Sequence, residues 1–474
     1  MIQINCKDAL YTYDMYHITK AFFPNEEIKQ QVNESQEPLI LMELQSGSFC
    51  ALCEEVQQIE SASEKKHYVN RKLYEWLSEY SGNQMAWGIL TGIRPTKMLM
   101  NQLEKGMSET ETVEWMQERY FVSESKTRLA LEIAKREKAL LDRLDYQNGF
   151  SLYIGIPFCP SICSYCSFSS SPIAEWEDRV DGYLDALCRE ITFVAEKSRQ
   201  KHLNTIYIGG GTPTTLSAGQ LDRLLSHVEA SFSYETVLEV TVEAGRPDSI
   251  TREKLEVLKN HVVTRISVNP QTMQQKTLDA IGRRHTVEDI RTVFVMAREL
   301  GFDNINMDLI AGLPGEQVSD MEDTLRQIKA LGPDSLTVHS LAIKRAAKLG
   351  REQTEILHGR ELEKMIDLAA DMAEEMALEP YYLYRQKNIA GNFENVGYAK
   401  VDKAGIYNIL IMEEKQSIIA VGAGASTKIV LPEKIKLDRG RETNIIRIEN
   451  VKDITEYMTR IDEMIERKGE WLWH

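Results

Sequence analysis

No run of about twenty apolar residues occurs in this chain, so the sequence offers no membrane-spanning helix. Residues 1–13 mix Asn, Lys and Asp and have no apolar centre of the kind a signal peptide needs, which predicts a cytoplasmic protein. Positive charge is in deficit: 56 Lys and Arg stand against 72 Asp and Glu, a net charge of −16. That balance argues against nonspecific nucleic-acid binding, which rests on neutralising phosphates. It leaves room for a local basic patch that takes an anionic small molecule. Cysteine is scarce. Seven residues, an odd number, fit a reducing compartment better than a disulfide framework. Low-complexity segments are absent. What is there is ordinary for a globular protein, with 43% hydrophobic and 27% charged residues over 474 positions, enough for two or three domains.

Three of the cysteines sit together. Cys159, Cys163 and Cys166 are spaced C-x3-C-x2-C directly after a short apolar run, 151–156, that reads as a strand. Thiolates are the usual ligands of a cubane iron–sulfur cluster, and three of them leave one of its four irons without a protein ligand. An open position separates a reactive metal site from a closed structural one. A zinc knuckle would need a fourth ligand nearby, and residues 156–172 hold no His and no further Cys. The spacing therefore predicts a [4Fe–4S] cluster whose fourth iron takes a substrate or cosubstrate, a group that favours low oxygen. Cys50 and Cys53 form a C-x2-C with no second pair or nearby His, and read as structural.

The chain divides by texture. Residues 1–147 are predicted to form an α+β accessory domain, with strands at 2–5 and 39–43 and a helix at 68–80. A loop at 87–97 leads into a helix, because the residue before Pro95 is biased away from α. A long amphipathic helix follows at 123–144 with Ser123 as its N-cap. Asn148 and Gly149 break the pattern. Residues 148–345 then alternate six strand-like runs, at 151–156, 205–209, 238–242, 264–268, 304–310 and 335–341, with helical patterns. Such alternation implies a parallel sheet with helices outside. Six units fall short of the eight of a closed barrel. The expected fold class is α/β: a partial (β/α)6 barrel with a laterally open mouth, an N-terminal α+β domain and a C-terminal α+β extension. Residues 346–474 are expected to cover the substrate. They hold helical patterns at 359–376 and 453–469, an aromatic stretch at 381–398, and a strand pair, 406–412 and 416–421, turning at 413–415.

In such a barrel the active site lies at the C-terminal ends of the strands, where the cysteine stretch follows strand one. Gly209-Gly210-Gly211-Thr212-Pro213 follows strand two, and glycines there allow close backbone approach to a ligand. Glu243 ends strand three, Asn269 and Gln271 follow strand four, and Asp308 lies late in strand five. Ala342, Lys344 and Arg345 follow strand six, and Arg283 and Arg284 follow a glycine. The carboxylates suit an amine and hydroxyls, and Arg283 suits a carboxylate.

The triplet with an aromatic residue, Tyr165, before its third Cys, followed by Gly-Gly-Thr-Pro, resembles the radical SAM enzymes. Tyr153-Ile-Gly-Ile-Pro-Phe-Cys159, Gly209-Gly-Gly-Thr-Pro-Thr214, Arg265-Ile-Ser-Val with Gln271, and the run from Asn306 to Gly315 narrow this further. They resemble the oxygen-independent coproporphyrinogen III oxidase family, and 87–97 and 384–398 resemble its HemZ-like branch. The resemblance implies that Cys159, Cys163 and Cys166 ligate a [4Fe–4S] cluster whose open iron is chelated by S-adenosylmethionine (SAM). Gly210, Gly211 and Thr212 would lie along the methionyl part. Glu243, Gln271, Arg283 and Asp308 would hold polar groups, and Tyr153, Tyr165 and Ala342 would pack around it. The implied reaction decarboxylates two propionates of coproporphyrinogen III to vinyl groups, giving protoporphyrinogen IX in heme biosynthesis. An electron donor such as flavodoxin or ferredoxin is implied as partner.

A tetracarboxylate substrate calls for cations at the barrel mouth, and Lys344, Arg345, Lys348, Arg385 and Lys387 are candidates. Two positions depart from the decarboxylating members: Phe168 stands where they carry a fourth Cys, and Gly155 where they carry His. Two alternatives follow. One is a heme-binding or heme-transfer protein, with His285, His339 or a Cys as ligand. The other is a radical SAM enzyme acting on heme itself.

Overall fold

The computed structural model describes residues 1–92, 94–341, 359–385, 393–436 and 442–473. The first region opens with β1 (Ile2–Cys6), β2 (Ile28–Val32), β3 (Ile40–Leu44) and β4 (Gly47–Ala51), ordered β2-β1-β3-β4. In β1 the alternate residues Ile2, Ile4 and Cys6 are buried, as a strand with one covered face requires. Helices Thr12–Phe22 and Ala62–Ser81 bring Met15, Leu73 and Leu77 onto that face, giving this region a core of its own. Helices Pro95–Glu104, Glu109–Tyr120 and Glu124–Leu141 belong elsewhere. Their residues Leu99, Met116 and Ile133 join the main core of the molecule. Ser123 caps the last of them, its side chain accepting from Lys126 N.

The main sheet is built on six parallel neighbours. These are β5 (Gly149–Ile156), β8 (His202–Gly210), β9 (Glu239–Glu243), β10 (Arg265–Ser267), β11 (Ile305–Ala311) and β12 (Ser335–Ser340). They are buried almost end to end, as parallel strands covered on both faces are. Between β5 and β8 the short β6 (Phe158–Cys159) pairs in parallel with β7 (Ser171–Pro172). Helices Val180–Lys197, Ala218–Ser231, Arg252–Asn260, Val287–Glu299 and Val318–Leu331 fill the crossovers. The alternation in the sequence thus reads correctly as a partial barrel.

The later residues lengthen the sheet at both ends. β13 (Glu379–Arg385) and β14 (Glu394–Ala399) continue it antiparallel beyond β12. On the far side β15 (Ser417–Val421) lies parallel to β5, followed by the hairpin of β16 (Ser426–Lys436) and β17 (Glu442–Glu449). The run expected as the first strand of a pair is instead the helix Ile406–Glu413. A short apolar run does not separate a buried strand from a buried helix, and here Tyr407, Leu410 and Glu413 recur on one buried helical face. Its supposed partner strand pairs with β5 and β16. The closing helical pattern is broken at Arg460 into Ile454–Thr459 and Ile461–Gly469.

Candidate active site

The cysteine stretch leaves β5 and is clasped at its base by the β6–β7 pairing, with Ser171 N donating to Pro157 O at 2.8 Å. Cys159 and Cys163 are buried and Cys166 half-buried, all with free thiols. Thr212 Oγ1 donates to Cys159 Sγ at 3.5 Å, and an Arg246 N–H lies 3.7 Å from Cys163 Sγ. Ser164 N donates to Ile281 O at 3.1 Å, docking the stretch on the turn that carries Arg283. The glycines after β8 serve this docking. Gly211 N donates to Ile156 O and Thr212 N to Phe158 O, each at 2.7 Å. A Cβ on Gly211 would stand 2.5 Å from the Phe158 carbonyl oxygen, so only glycine lets Thr212 come under Cys159.

The other strand ends gather polar side chains. Tyr207 donates its hydroxyl to Glu243, and Tyr153, Tyr207 and Tyr407 stack beside it. Burial, reinforced by the Asp308 charge, pushes the Glu243 carboxyl up to about 7 against the Tyr207 hydrogen bond. Burial works the same way on Asp308, but His339 at 3.8 Å and Asn306 at 2.7 Å outweigh it and hold that carboxyl below its ordinary value. Gln271 sits at φ 68 with its backbone bridged to Asp308 and Ile310, and its Oε1 is buried without a partner. Arg283 is buried near Tyr165 and Cys163, donates to Asn269 O, and keeps Nε unpartnered. Arg284 is exposed.

These features fit a cluster and an amino-acid-like ligand. The buried polar atoms left without partners include Ser164 Oγ, Ser170 Oγ, Asn269 Oδ1, Gln271 Oε1 and Arg283 Nε, all on the cysteine stretch or the strand ends beside it. Buried polar groups without partners are rare unless something fills the site. Burial also pushes the Cys159 and Cys166 thiols up, so thiolate ligation there needs a bound cation. Among the described residues no three His, Cys, Asp or Glu side chains converge on one ion. A cubane does not ask for that, since each thiolate takes its own iron.

Ala342, Lys344, Arg345, Lys348 and Lys387 lie outside the described residues. Arg385 is committed elsewhere: it is buried and donates to Leu90 O at 2.9 Å and Gly92 O at 3.3 Å. His285 is buried beside Asp248, and His339 faces Asp308 and Tyr384. Phe168 is 72% exposed on the cysteine stretch. The carbonyl of Gly155 accepts from Tyr183. Sequence reasoning missed Arg246, although an arginine between Gly245 and Pro247 just past a strand end was a visible signal. It also missed the tyrosine stack, because Tyr407 comes from a distant helix.

A cysteine triplet on the first crossover of a partial barrel, with acids at the later strand ends, defines the radical SAM class. The radical SAM superfamily model matches residues 153–328. The chain is 41% identical over 419 residues to the oxygen-independent coproporphyrinogen-III oxidase-like protein HemZ of Bacillus subtilis, covering 87% of this chain and 82% of that one. It is also 41% identical over 195 residues to the heme chaperone HemW of the same organism, covering 41% and 51%. A solved structure of coproporphyrinogen III oxidase from Escherichia coli superposes with a TM-score of 0.54 at 21% identity, covering 69% and 73%. The chain belongs to the radical SAM superfamily and, within it, to the oxygen-independent coproporphyrinogen-III oxidase-like family. Its cofactors are those of the superfamily, a [4Fe–4S] cluster and SAM. No helix among the described residues is long and apolar enough to cross a membrane.

Proposed function

We propose that this protein carries out the oxidative decarboxylation of coproporphyrinogen III propionates to vinyl groups, giving protoporphyrinogen IX without oxygen. The reading rests on the extent of the likeness. Identity to the oxidase-like relative runs through 82% of that protein, far beyond the barrel, whereas the likeness to heme chaperones covers 51% to 70% of those proteins. Cys159, Cys163 and Cys166 hold the cluster. Glu243 takes the SAM amino group, Arg283 its carboxylate and Asp308 its ribose hydroxyls. Gln271, Gly210, Gly211, Thr212, Tyr153, Tyr165 and Ala342 complete the surround. Bound there, the two cofactors supply the one-electron chemistry that starts hydrogen removal from a propionate. One hydrogen atom, one CO2 and one electron then leave each reacting propionate. Residues 1–147 act as an accessory domain, 148–345 as the catalytic barrel and 346–474 as the substrate cover. We place the protein in the cytoplasm, served by a flavodoxin or ferredoxin.

Phe168, at the position of the fourth Cys in decarboxylating members, favours a second reading, a heme-binding or heme-transfer protein or a radical SAM enzyme acting on heme. The test is anaerobic turnover of the iron-reconstituted protein with SAM, a reductant and coproporphyrinogen III, followed by chromatography and mass. Monovinyl and divinyl products forming with 5′-deoxyadenosine are expected. Deoxyadenosine without a decarboxylated product would remove the substrate assignment and make heme the next molecule to try.

A further inference from the structure

Arg246 lies three residues beyond Glu243 and is 3% exposed. A guanidinium withdrawn from water is tolerated only where its charge and N–H groups are matched. Here they are matched on two sides. Nε and Nη2 form a fork with Asp248, at 2.9 and 2.6 Å. Nη1 points the other way and donates to Ser161 O at 2.8 Å and Ser161 Oγ at 2.9 Å, with Cys163 Sγ at 3.7 Å. His285 Nδ1 stands 3.8 Å from the same Asp248 carboxylate. The fork fixes the guanidinium plane, so the donor facing the cysteine stretch is aimed and does not wander. A lysine has no such plane and could not make both contacts. Arg283 also lies near Cys163, but its Nη1 is held by Asn269 O.

We propose that Arg246 is a positioning residue of the cluster site: it docks the cysteine stretch through Ser161 and holds a fixed positive charge and an N–H donor against Cys163 Sγ, which makes the cluster easier to reduce. The inference rests on the assignment of Cys163 as a cluster ligand. Reduction adds negative charge to the cluster. A donor at a ligand sulfur and a nearby cation stabilise that added charge, and outer-shell groups of this kind tune cluster potentials.

The experiment is an anaerobic redox titration of the reconstituted full-length protein without SAM, followed by electron paramagnetic resonance, alongside iron content and circular dichroism. Reconstituted wild-type protein that takes up no iron and gives no [4Fe–4S]+ signal would overturn the ligand assignment itself, before any variant is compared. With that signal present, Arg246→Gln is expected to keep its fold and bind four irons with a midpoint potential shifted to more negative values. An unchanged potential at equal iron content would overturn the role of Arg246 and leave the ligand assignment standing. If Arg246→Gln fails to fold, Arg246→Lys decides. It keeps a positive charge but cannot hold Asp248 and Ser161 together, so the donor at Cys163 is lost and the potential is expected to move negative, and an unchanged value would overturn the proposal.

Discussion

Glu243 and Asp308 are both half-buried carboxyls at strand ends, yet their surroundings push them opposite ways. Two acids separated like this can hold different protonation states at neutral pH. Below about 7 Glu243 is protonated and accepts poorly from the amino group proposed to lie there; above it the ionised carboxylate accepts strongly. SAM binding to the cluster-loaded protein, measured by anaerobic calorimetry, is therefore expected to tighten as pH rises through about 7. Glu243→Gln should bind more weakly and lose that step. Cys163→Ala is expected to abolish the cluster's visible absorbance and lower bound iron. Unchanged iron in that variant would remove the three-cysteine site and every reading built on it.

At the scale of elements, the helix Glu124–Leu141 shows how a local signal and a distant contact divide the work. Its N-cap is local, and Ser123→Ala is expected to lower unfolding stability by about 1 kcal/mol in a denaturant titration. Its buried Glu137 meets Glu413 of the helix Ile406–Glu413, and burial together with that second carboxyl raises the Glu137 pKa well above its ordinary value. The native state then keeps a proton that the unfolded chain releases above about 4.3. Linkage gives the sign: the pair stabilises the fold in acid and loses that stability as pH rises from about 4.3 toward the raised native value. Glu413→Gln removes the repulsion. Denaturant midpoints at pH 5 and pH 8 should fall between the two for the wild type and differ less for the variant.

At the scale of the molecule, the first region is tied to the sheet through β14. Glu394 is fully buried and accepts from Trp87 Nε1 at 2.7 Å while pairing with Lys126 at 2.7 Å, and Arg385 lies over the Trp87 ring. Removing one partner of a buried ion pair strands the other charge and costs about 3–5 kcal/mol. Glu394→Ala is expected to lower the melting temperature and to open the 87–97 segment to limited proteolysis. Unchanged cleavage there would show that this contact does not tie the two parts together.

The sequence alone determined the parts that are written locally. Burial on both faces leaves apolar runs of strand length, crossover helices leave a 3.6-residue period, and the proposed cluster site leaves three cysteines within eight residues. Those signals placed the six parallel strands, the Ser123 cap and the cysteine stretch. Only the tertiary structure decided which distant segments meet. Arg246 reaches Cys163 across 83 residues, the 417–421 strand joins the distant β5 as well as the adjacent β16, and Arg385 is committed to the first region. Strand order and the aim of a buried guanidinium depend on long-range pairing, and that pairing leaves no period in either partner's own sequence.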